Sequence, residues 1–289
     1  MKNVINYYYD IEVKEFKKRE NSFSFYVGNN IYEFIECYEN INSLLNIYTI
    51  LKSYGKEVDE LLINIKNEYL TFYEGKPYIL LKKNKYYKKK IKLEDIFNFD
   101  CNIYIKDKIS WKTLWQEKID YYEIQMEENK LKYPLLNKSF HYYIGLSEIA
   151  ISLLNYVDYE SIKYCISHKR FDNLENIYNP LNIIIDNRTR DVAEYIKMKY
   201  FSDSFNVNEI INIIDRMVFN NDEIILFLSR LIYPSYYFDI YDKIYKDQEE
   251  KKELKKIIKK NADYEAFLKN IYFHVKKIYK IPQIEFLEY

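Results

Sequence analysis

Residues 178–186 read Tyr178-Asn179-Pro180-Leu181-Asn182-Ile183-Ile184-Ile185-Asp186. A proline-containing turn runs into three consecutive isoleucines, a β-branched run that predicts an extended segment over 181–186. It delivers a carboxylate at the strand end, and Arg190, Asp191, Glu194 and Lys197 follow near a helix start. A carboxylate so placed is a candidate ligand for a divalent ion, which takes oxygen donors. The plainer alternative makes Asp186 a turn residue and Asp191 a helix cap or the partner of a basic side chain. Both stand on these residues alone. Just upstream, His168 opens Ser167-His168-Lys169-Arg170, shortly before the predicted strand.

Toward the N-terminus the pattern is strand-rich. Asn3 to Tyr9, Ile11 to Phe16, Phe23 to Val27 and Tyr32 to Cys37 are short apolar or alternating segments. Gly28-Asn29-Asn30 predicts a tight turn between the last two, because Gly and Asn tolerate positive φ. Ile41, Leu44, Leu45, Tyr48 and Leu51 have helical spacing within 40–54. Leu61 to Ile65 and Tyr69 to Tyr73 predict further strands, and Glu74-Gly75-Lys76 turns the chain into Tyr78 to Leu81. The basic run Lys82 to Lys92 reads as an exposed connection, since two tyrosines among its lysines make a poor stacking platform for bases.

From about residue 108 the spacing turns helical. Trp111, Leu114, Trp115, Tyr122 and Met126 form a stripe behind a capping Ser110. The two indoles lie i,i+4 on one face, for core packing or, alternatively, as a ligand platform. Leu146 to Val157 repeats the periodicity, with His141 as a polar cap where the helical region starts. Residues 162–190 break the pattern. Helical stripes resume with Ile210, Ile213, Ile214 and Met217, then Tyr237, Ile240, Tyr241 and Ile244. An amphipathic surface helix is expected at 249–260, and a long helix holds Tyr264 to Tyr279, His274 included, before Pro282.

Several function classes are excluded by composition. With 289 residues, 48% of them hydrophobic, the chain can bury a substantial core as one domain or two lobes. Forty-four basic residues balance 44 acidic ones, so no global attraction to nucleic acid or anionic membrane exists. Cys37, Cys101 and Cys165 are far apart and form no CxxC pair, against a disulfide framework or cysteine-rich zinc site. The densest apolar run, Ile224 to Leu228, is too short for a bilayer. No integral membrane association and a cytoplasmic location are therefore expected. The 34 tyrosines beside four glycines fit an AT-rich codon usage better than a function, though a Tyr ring can be buried while its hydroxyl stays wet. Histidine motifs for zinc, the GxSxG elbow and glycine-rich phosphate loops are all missing.

Taken in order, several landmarks carry a family resemblance. They are His168, the Ile-Ile-Ile-Asp of 183–186, the segment 190–201 beginning Arg190-Asp191-Val192-Ala193, Arg230 to Pro234 with Tyr236 to Phe238, and Ile281 to Leu287. The chain resembles the aminoglycoside phosphotransferase and choline kinase superfamily, in its spore-coat-associated, kinase-like branch. The resemblance implies an α+β, bilobal, protein-kinase-like fold. Its β-rich N-terminal lobe would span 1–83, a hinge and basic connection 84–107, and a mainly helical C-terminal lobe 108–289.

Carried over residue by residue, the resemblance also marks what this chain lacks. The family loop opens with His, a small residue and a catalytic Asp; here those places hold His168, Lys169 and Arg170, and a guanidinium cannot accept the proton of an attacking hydroxyl. The metal-binding Asn falls at Glu175, with Asn176 one residue displaced. Asp186 matches the metal-holding aspartate and Asp191 the one that braces the loop, while Asp172 is the displaced catalytic residue if the loop is remodelled. In the small lobe the glycine-rich turn shrinks to Gly28-Asn29-Asn30. The strand expected to carry a phosphate-pairing lysine ends in Glu36, which repels phosphate unless metal or Lys52 answers it. The expectation is a degenerate, pseudokinase-like binding protein, or a spore-associated structural or regulatory one. Its partner would be a protein or a small molecule in the interlobe cleft, and not nucleic acid. Two alternatives stand: a phosphotransferase using ATP and Mg2+ on a small-molecule hydroxyl, and a helical interaction module unrelated to kinases.

Overall fold

The computed structural model describes residues 1–19, 21–83, 103, 110–128, 132–171, 177–202, 206–247 and 252–288. The fold is bilobal, with a β-rich N-terminal region and a helical C-terminal region. The chain divides into two compact units, Met1–Cys101 with Ile166–Ile185, and Asn102–Cys165 with Asp186–Tyr289. Apart from Ile103, the connection expected at 84–107 lies outside the described residues.

The first unit is built on an antiparallel sheet. Its strands are β1 (Phe16–Lys18), β2 (Ser22–Val27), β3 (Asn30–Glu36), β4 (Glu60–Leu62), β5 (Thr71–Tyr73) and β6 (Lys76–Lys82). They run β1-β2-β3-β6-β4, with β5 also paired to β6. Val27↔Asn30 closes the β2–β3 hairpin, and Gly28 at φ 57 supplies the left-handed turn residue read in the sequence. The central strand β6 is buried on both faces. Tyr78 and Leu80 join Phe25, Phe34, Ile5 and Val13 on one side; Ile79 and Leu81 join Cys37, Leu61 and Leu44 on the other. Each such leucine or isoleucine stabilises the unit by about 1.5–3 kcal/mol. Helix α2 (Ile41–Ser53) covers the second face, and Asn40 caps it by accepting from the Asn42 and Ser43 amides at 2.9 and 3.3 Å.

Four local expectations are corrected here. Residues 3–9 form helix α1 (Lys2–Tyr9), not a strand: their β-branched and aromatic residues suit a sheet by propensity, but burying Ile5 decides the conformation. Only Phe16 of the expected 11–16 strand is extended in the sheet. Strand β4 stops at Leu62 because the Asn64 side chain folds a turn, its Oδ1 accepting from the amides of Lys66 and Glu68 at 2.9 and 3.1 Å. Within the 162–190 break, β7 (Tyr164–His168) is a fully buried strand that pairs with β8 (Ile183–Asn187). Burial on both faces erases the alternation by which a strand is usually found.

The helices of the second unit are α3 (Trp111–Glu128), α4 (Pro134–Leu153), α5 (Thr189–Phe201), α6 (Val207–Met217), α7 (Asn221–Ile232), α8 (Ser235–Asp247), α9 (Lys252–Lys259), α10 (Asn261–Lys276) and the short α11 (Glu285–Glu288). The helix expected to start at His141 starts at Pro134, whose preset φ suits a first turn; His141 is an exposed mid-helix residue. Helix α7 is the hub, buried from Glu223 through Ile232 and packed against α4 and α5. Tyrosine serves this core in the two-sided way its chemistry allows. The Tyr143 and Tyr237 rings stack at 3.7 Å, while the Tyr143 and Tyr264 hydroxyls donate to Asn261 Oδ1 and the Leu231 carbonyl at 2.7 and 2.8 Å. Among the described residues no helix is long and apolar enough to cross a membrane.

Val218 is the β-branched residue among the described positions with left-handed φ. Val218 caps α6 at φ 46 and ψ 58, a left-handed conformation that disfavours a β-branched residue. Its carbonyl is held by Arg188 Nη2 at 2.9 Å, and its side chain is 76% exposed, so substitution sacrifices little packing. Val218→Asn is expected to stabilise the protein by about 1 kcal/mol, read as a higher midpoint in urea. An unchanged or lower midpoint would contradict the strain.

Candidate functional site

Strand β7 carries His168 at its end, wholly buried. The ring Nε2 lies 3.1 Å from the Ile177 carbonyl oxygen, and the ring packs edge-on against Phe171 at 5.1 Å. The backbone that follows is stapled by Asn182. Its Oδ1 accepts from the Arg170 amide at 3.0 Å, its Nδ2 donates to the Arg170 carbonyl at 2.9 Å, and its own carbonyl accepts from the Lys169 amide at 2.7 Å. Lys169 forms an ion pair with Glu39, and Arg170 is exposed. Asp172, Glu175 and Asn176 lie outside the described residues.

On β3 the alternation of a strand separates the two glutamates. Glu36 shares a face with Phe34 and is answered by Lys76 Nζ and the Tyr78 hydroxyl, each 2.9 Å from Oε1. Lys76, with the Tyr78 hydroxyl and the Tyr38 hydroxyl that donates to Oε2 at 3.0 Å, holds its carboxyl below the usual range. Lys52 sits on the exposed side of α2, its ammonium over the Tyr48 ring at 5.4 Å. Glu33 shares the α2 face with Ile35 and Cys37 and is buried. It accepts from the Ser22 hydroxyl at 2.7 Å and pairs with Lys83 at 3.4 Å; Lys83 in turn meets Asp59 at 2.6 Å. Sequence reading passed over this cluster, because Glu33, Asp59 and Lys83 come from three separate segments and only strand pairing assembles them.

In the second unit, Asp186 is the penultimate residue of β8 and is 1% exposed. Its Oδ1 accepts from Trp111 Nε1 at 2.9 Å and from the Asn187 amide and Nδ2 at 2.7 and 2.8 Å. Its Oδ2 accepts from Arg190 Nη1 at 3.1 Å, with Arg230 Nη2 at 3.9 Å. Arg190, Glu194 and Lys197 share one face of α5 at helical spacing, and Asp191 is buried in its first turn. Arg230 comes from α7 and reaches Glu194 at 3.6 Å; Glu194 also pairs with Lys197 at 2.9 Å. The Trp111 ring lies against the Arg190 and Arg230 guanidinium groups at 4.5 and 4.3 Å, and Trp115 against Arg230 at 5.2 Å. The tryptophan pair thus packs, as its spacing predicts, and what it packs on is a pair of cations.

Three nitrogen donors crowd Asp186 Oδ1, while Oδ2 faces Arg190 at 3.1 Å and Arg230 at 3.9 Å. A metal ion at Oδ2 would meet two guanidinium cations, so the residues present do not fit one there. Among the described residues, no group of three or more His, Cys, Asp or Glu side chains is placed to hold one. Burial, with Arg190 adding to it, lowers Arg230 to about 10, so the guanidinium remains a cation at neutral pH. Burial pushes the Glu194 carboxyl up, but Lys197, Arg230 and Arg190 outweigh it and hold it below its usual value. The stability Glu194 contributes is therefore complete above its unfolded pKa of about 4.3 and is lost as pH falls through the lower folded value. Glu194→Gln is expected to flatten the acid limb of a stability–pH curve, and an unchanged slope would count against the ion pair.

A family model described as Spore coat putative kinase YutH matches residues 2–271. The endospore coat-associated protein YutH of Bacillus subtilis (strain 168) is 25% identical over 316 residues, covering 93% of this chain and 91% of that protein. Among solved structures, an aminoglycoside phosphotransferase from Alicyclobacillus acidocaldarius superposes with a TM-score of 0.64 at 11% identity, over 96% of this chain and 97% of that one. An AMP-bound spectinomycin phosphotransferase gives 0.55 at 10% identity, over 94% and 93%. A thermostable aminoglycoside phosphotransferase in ternary complex with AMP-PNP and hygromycin B gives 0.53 at 11%, over 92% and 97%. At these identities the structural likeness is one of fold, and it is the bilobal kinase-like fold the resemblance implied. The alternative of a helical module unrelated to kinases is set aside by these matches.

Proposed function

We propose, from the premise that this chain belongs to the spore-coat YutH family, that it is a kinase-fold protein acting by binding and no longer by phosphoryl transfer. The observation that carries the reading is the Asp186 carboxylate, whose Oδ1 accepts from Trp111 and Asn187 and whose Oδ2 faces the Arg190 and Arg230 guanidinium groups. Phosphoryl transfer in kinase folds rests on metal-neutralised phosphates and a carboxylate that orients the attacking hydroxyl. This chain offers Arg170 at the loop position matched to that carboxylate. The ligand would be a small molecule or a protein, and the relative's name suggests the endospore coat as the place of action.

A second reading, an ATP- and Mg2+-dependent phosphotransferase acting on a small-molecule hydroxyl, is favoured by the comparisons more than by the site. The three superposed proteins named above are phosphotransferases, two of them bound to AMP or AMP-PNP. Asp172 would then supply the base. A thermal-shift titration with ATP, with and without Mg2+, run beside an assay for ADP release, separates the two. The binding reading expects no magnesium-dependent shift and no ADP. A magnesium-dependent shift with turnover, both lost in Asp172→Asn, would establish the enzyme instead.

A further inference from the structure

We propose that one face of α10, marked by Tyr272 and Lys276, is a docking site for a short helical segment. It is filled here in cis by residues 284–288 and is open to exchange for the same segment of a second copy of this chain. The inference goes beyond the binding reading and stands whether or not the protein transfers phosphate. Residues 280–288 read Lys280-Ile281-Pro282-Gln283-Ile284-Glu285-Phe286-Leu287-Glu288. They lie beyond residues 2–271, the stretch matched by the family model. Helix α10 ends at Lys276, and Pro282 bars the chain from resuming it. The Lys280 amide donates to Asn221 Oδ1, at the start of α7, at 3.0 Å. The chain then returns to α10 as the single turn α11. A turn of that length does not hold itself in water; docking gives it its shape.

The contacts that seat the segment are specific. Ile284 and Leu287, three positions apart, are 3% and 0% exposed. The Glu288 carboxylate is held at both oxygens. Its Oε1 accepts from the Tyr272 hydroxyl at 2.7 Å and pairs with Lys276, and its Oε2 accepts from Gln283 Nε2 at 2.7 Å. The Tyr272 oxygen in turn accepts from the Ile284 amide at 3.3 Å. Tyr272 and Lys276 are i,i+4 on α10, so one helix face supplies both groups. The recognised element is therefore a pair of apolar side chains followed at once by a carboxylate. Its hold is modest. Burial of two apolar side chains is offset by the ordering of 280–288, and an ion pair whose lysine side chain is 42% exposed adds little. A segment so held, behind a proline-containing connection, exchanges at low cost, and a second copy carries the same element by identity. Exchange keeps every contact of the site and changes only which chain supplies it.

Two full chains with swapped charges test the exchange. Lys276→Glu sets two carboxylates against each other at the site within one chain, and Glu288→Lys sets two ammonium groups there. Neither variant satisfies itself, but the two satisfy each other in both directions. By light scattering after size-exclusion chromatography, each alone is expected to run as a monomer and an equimolar mixture as a species of twice the mass. Lys276→Glu combined with Glu288→Lys in one chain should recover the wild-type profile. A mixture of folded variants that stays monomeric would overturn the exchange. The site itself is tested with a fluorescein-labelled peptide of residues 280–288 and the Glu288→Lys chain, whose own segment no longer competes. Anisotropy should report saturable binding about tenfold tighter than to the Lys276→Glu chain, and a peptide carrying Glu288→Lys should reverse that order. No binding, or no preference, would overturn the site. If either variant does not fold, hydrogen exchange at the 280–288 amides of wild type decides. It should quicken as unlabelled peptide displaces the resident segment, and exchange that ignores the peptide counts against the proposal.

Discussion

Arg230→Ala is expected to lower the stability of the protein by about 3–5 kcal/mol, measured as a shift in the urea midpoint. The loss would come less from the contacts removed than from what remains. Asp186 and Glu194 are both buried, and each relies on Arg230 for part of its neutralisation. Truncation also strips a guanidinium from the faces of Trp111 and Trp115, so their emission should change in the folded state. Arg230→Lys separates the two contributions. It restores charge but not the flat surface that stacks on two indoles, and about 1–2 kcal/mol of the loss should persist. A total effect below about 1 kcal/mol, the size of an exposed ion pair, would show that the cluster is not the buried network its distances describe.

The second large effect is expected in the sheet of the first unit. Lys83 has a 4% exposed side chain set between Asp59 at 2.6 Å and Glu33 at 3.4 Å. Lys83→Ala should cost about 3–5 kcal/mol, because it removes the buried cation that Asp59 and Glu33 share, and Arg19, 3.8 Å from Glu33, is half-exposed. Lys83→Met keeps most of the stem and should lose nearly as much, which distinguishes charge from packing. Asp59→Asn placed on top of Lys83→Met should recover part of the loss, giving a coupling well outside additivity in a double-mutant cycle. Additive behaviour would mean that the carboxylates are satisfied by other groups and that Lys83 is incidental to them.

These two residues also show where sequence reading stops. The β2–β3 hairpin, α2, β6 and the helices bearing Trp111, Ile210, Tyr237 and Tyr264 were legible because each declares itself within a few residues, by alternation, helical spacing or a glycine turn. Helix α1 and strand β7 were not. In both, burial against the rest of the unit outweighs or hides the local pattern. His168, Asp186 and Asp191 stand out in the sequence by residue type, by their places around the isoleucine run and by the family resemblance. Arg230, Lys83 and Asp59 were missed, since a charged residue looks like solvated surface until the elements around it close.

The sequence by itself determined a strand-rich first third followed by a mainly helical remainder, with helix α1 and strands β7 and β8 as the exceptions. It also identified Asp186 as the residue to watch. What only the tertiary structure decided is the company Asp186 keeps. A carboxylate's chemistry depends on which donors fill its lone pairs, and here they come from α3, from the residue beside it and from α5, with a further guanidinium from α7 at 3.9 Å. Trp111 lies 75 positions from Asp186 in the chain, a separation over which no local periodicity carries information; packing alone brings the two together.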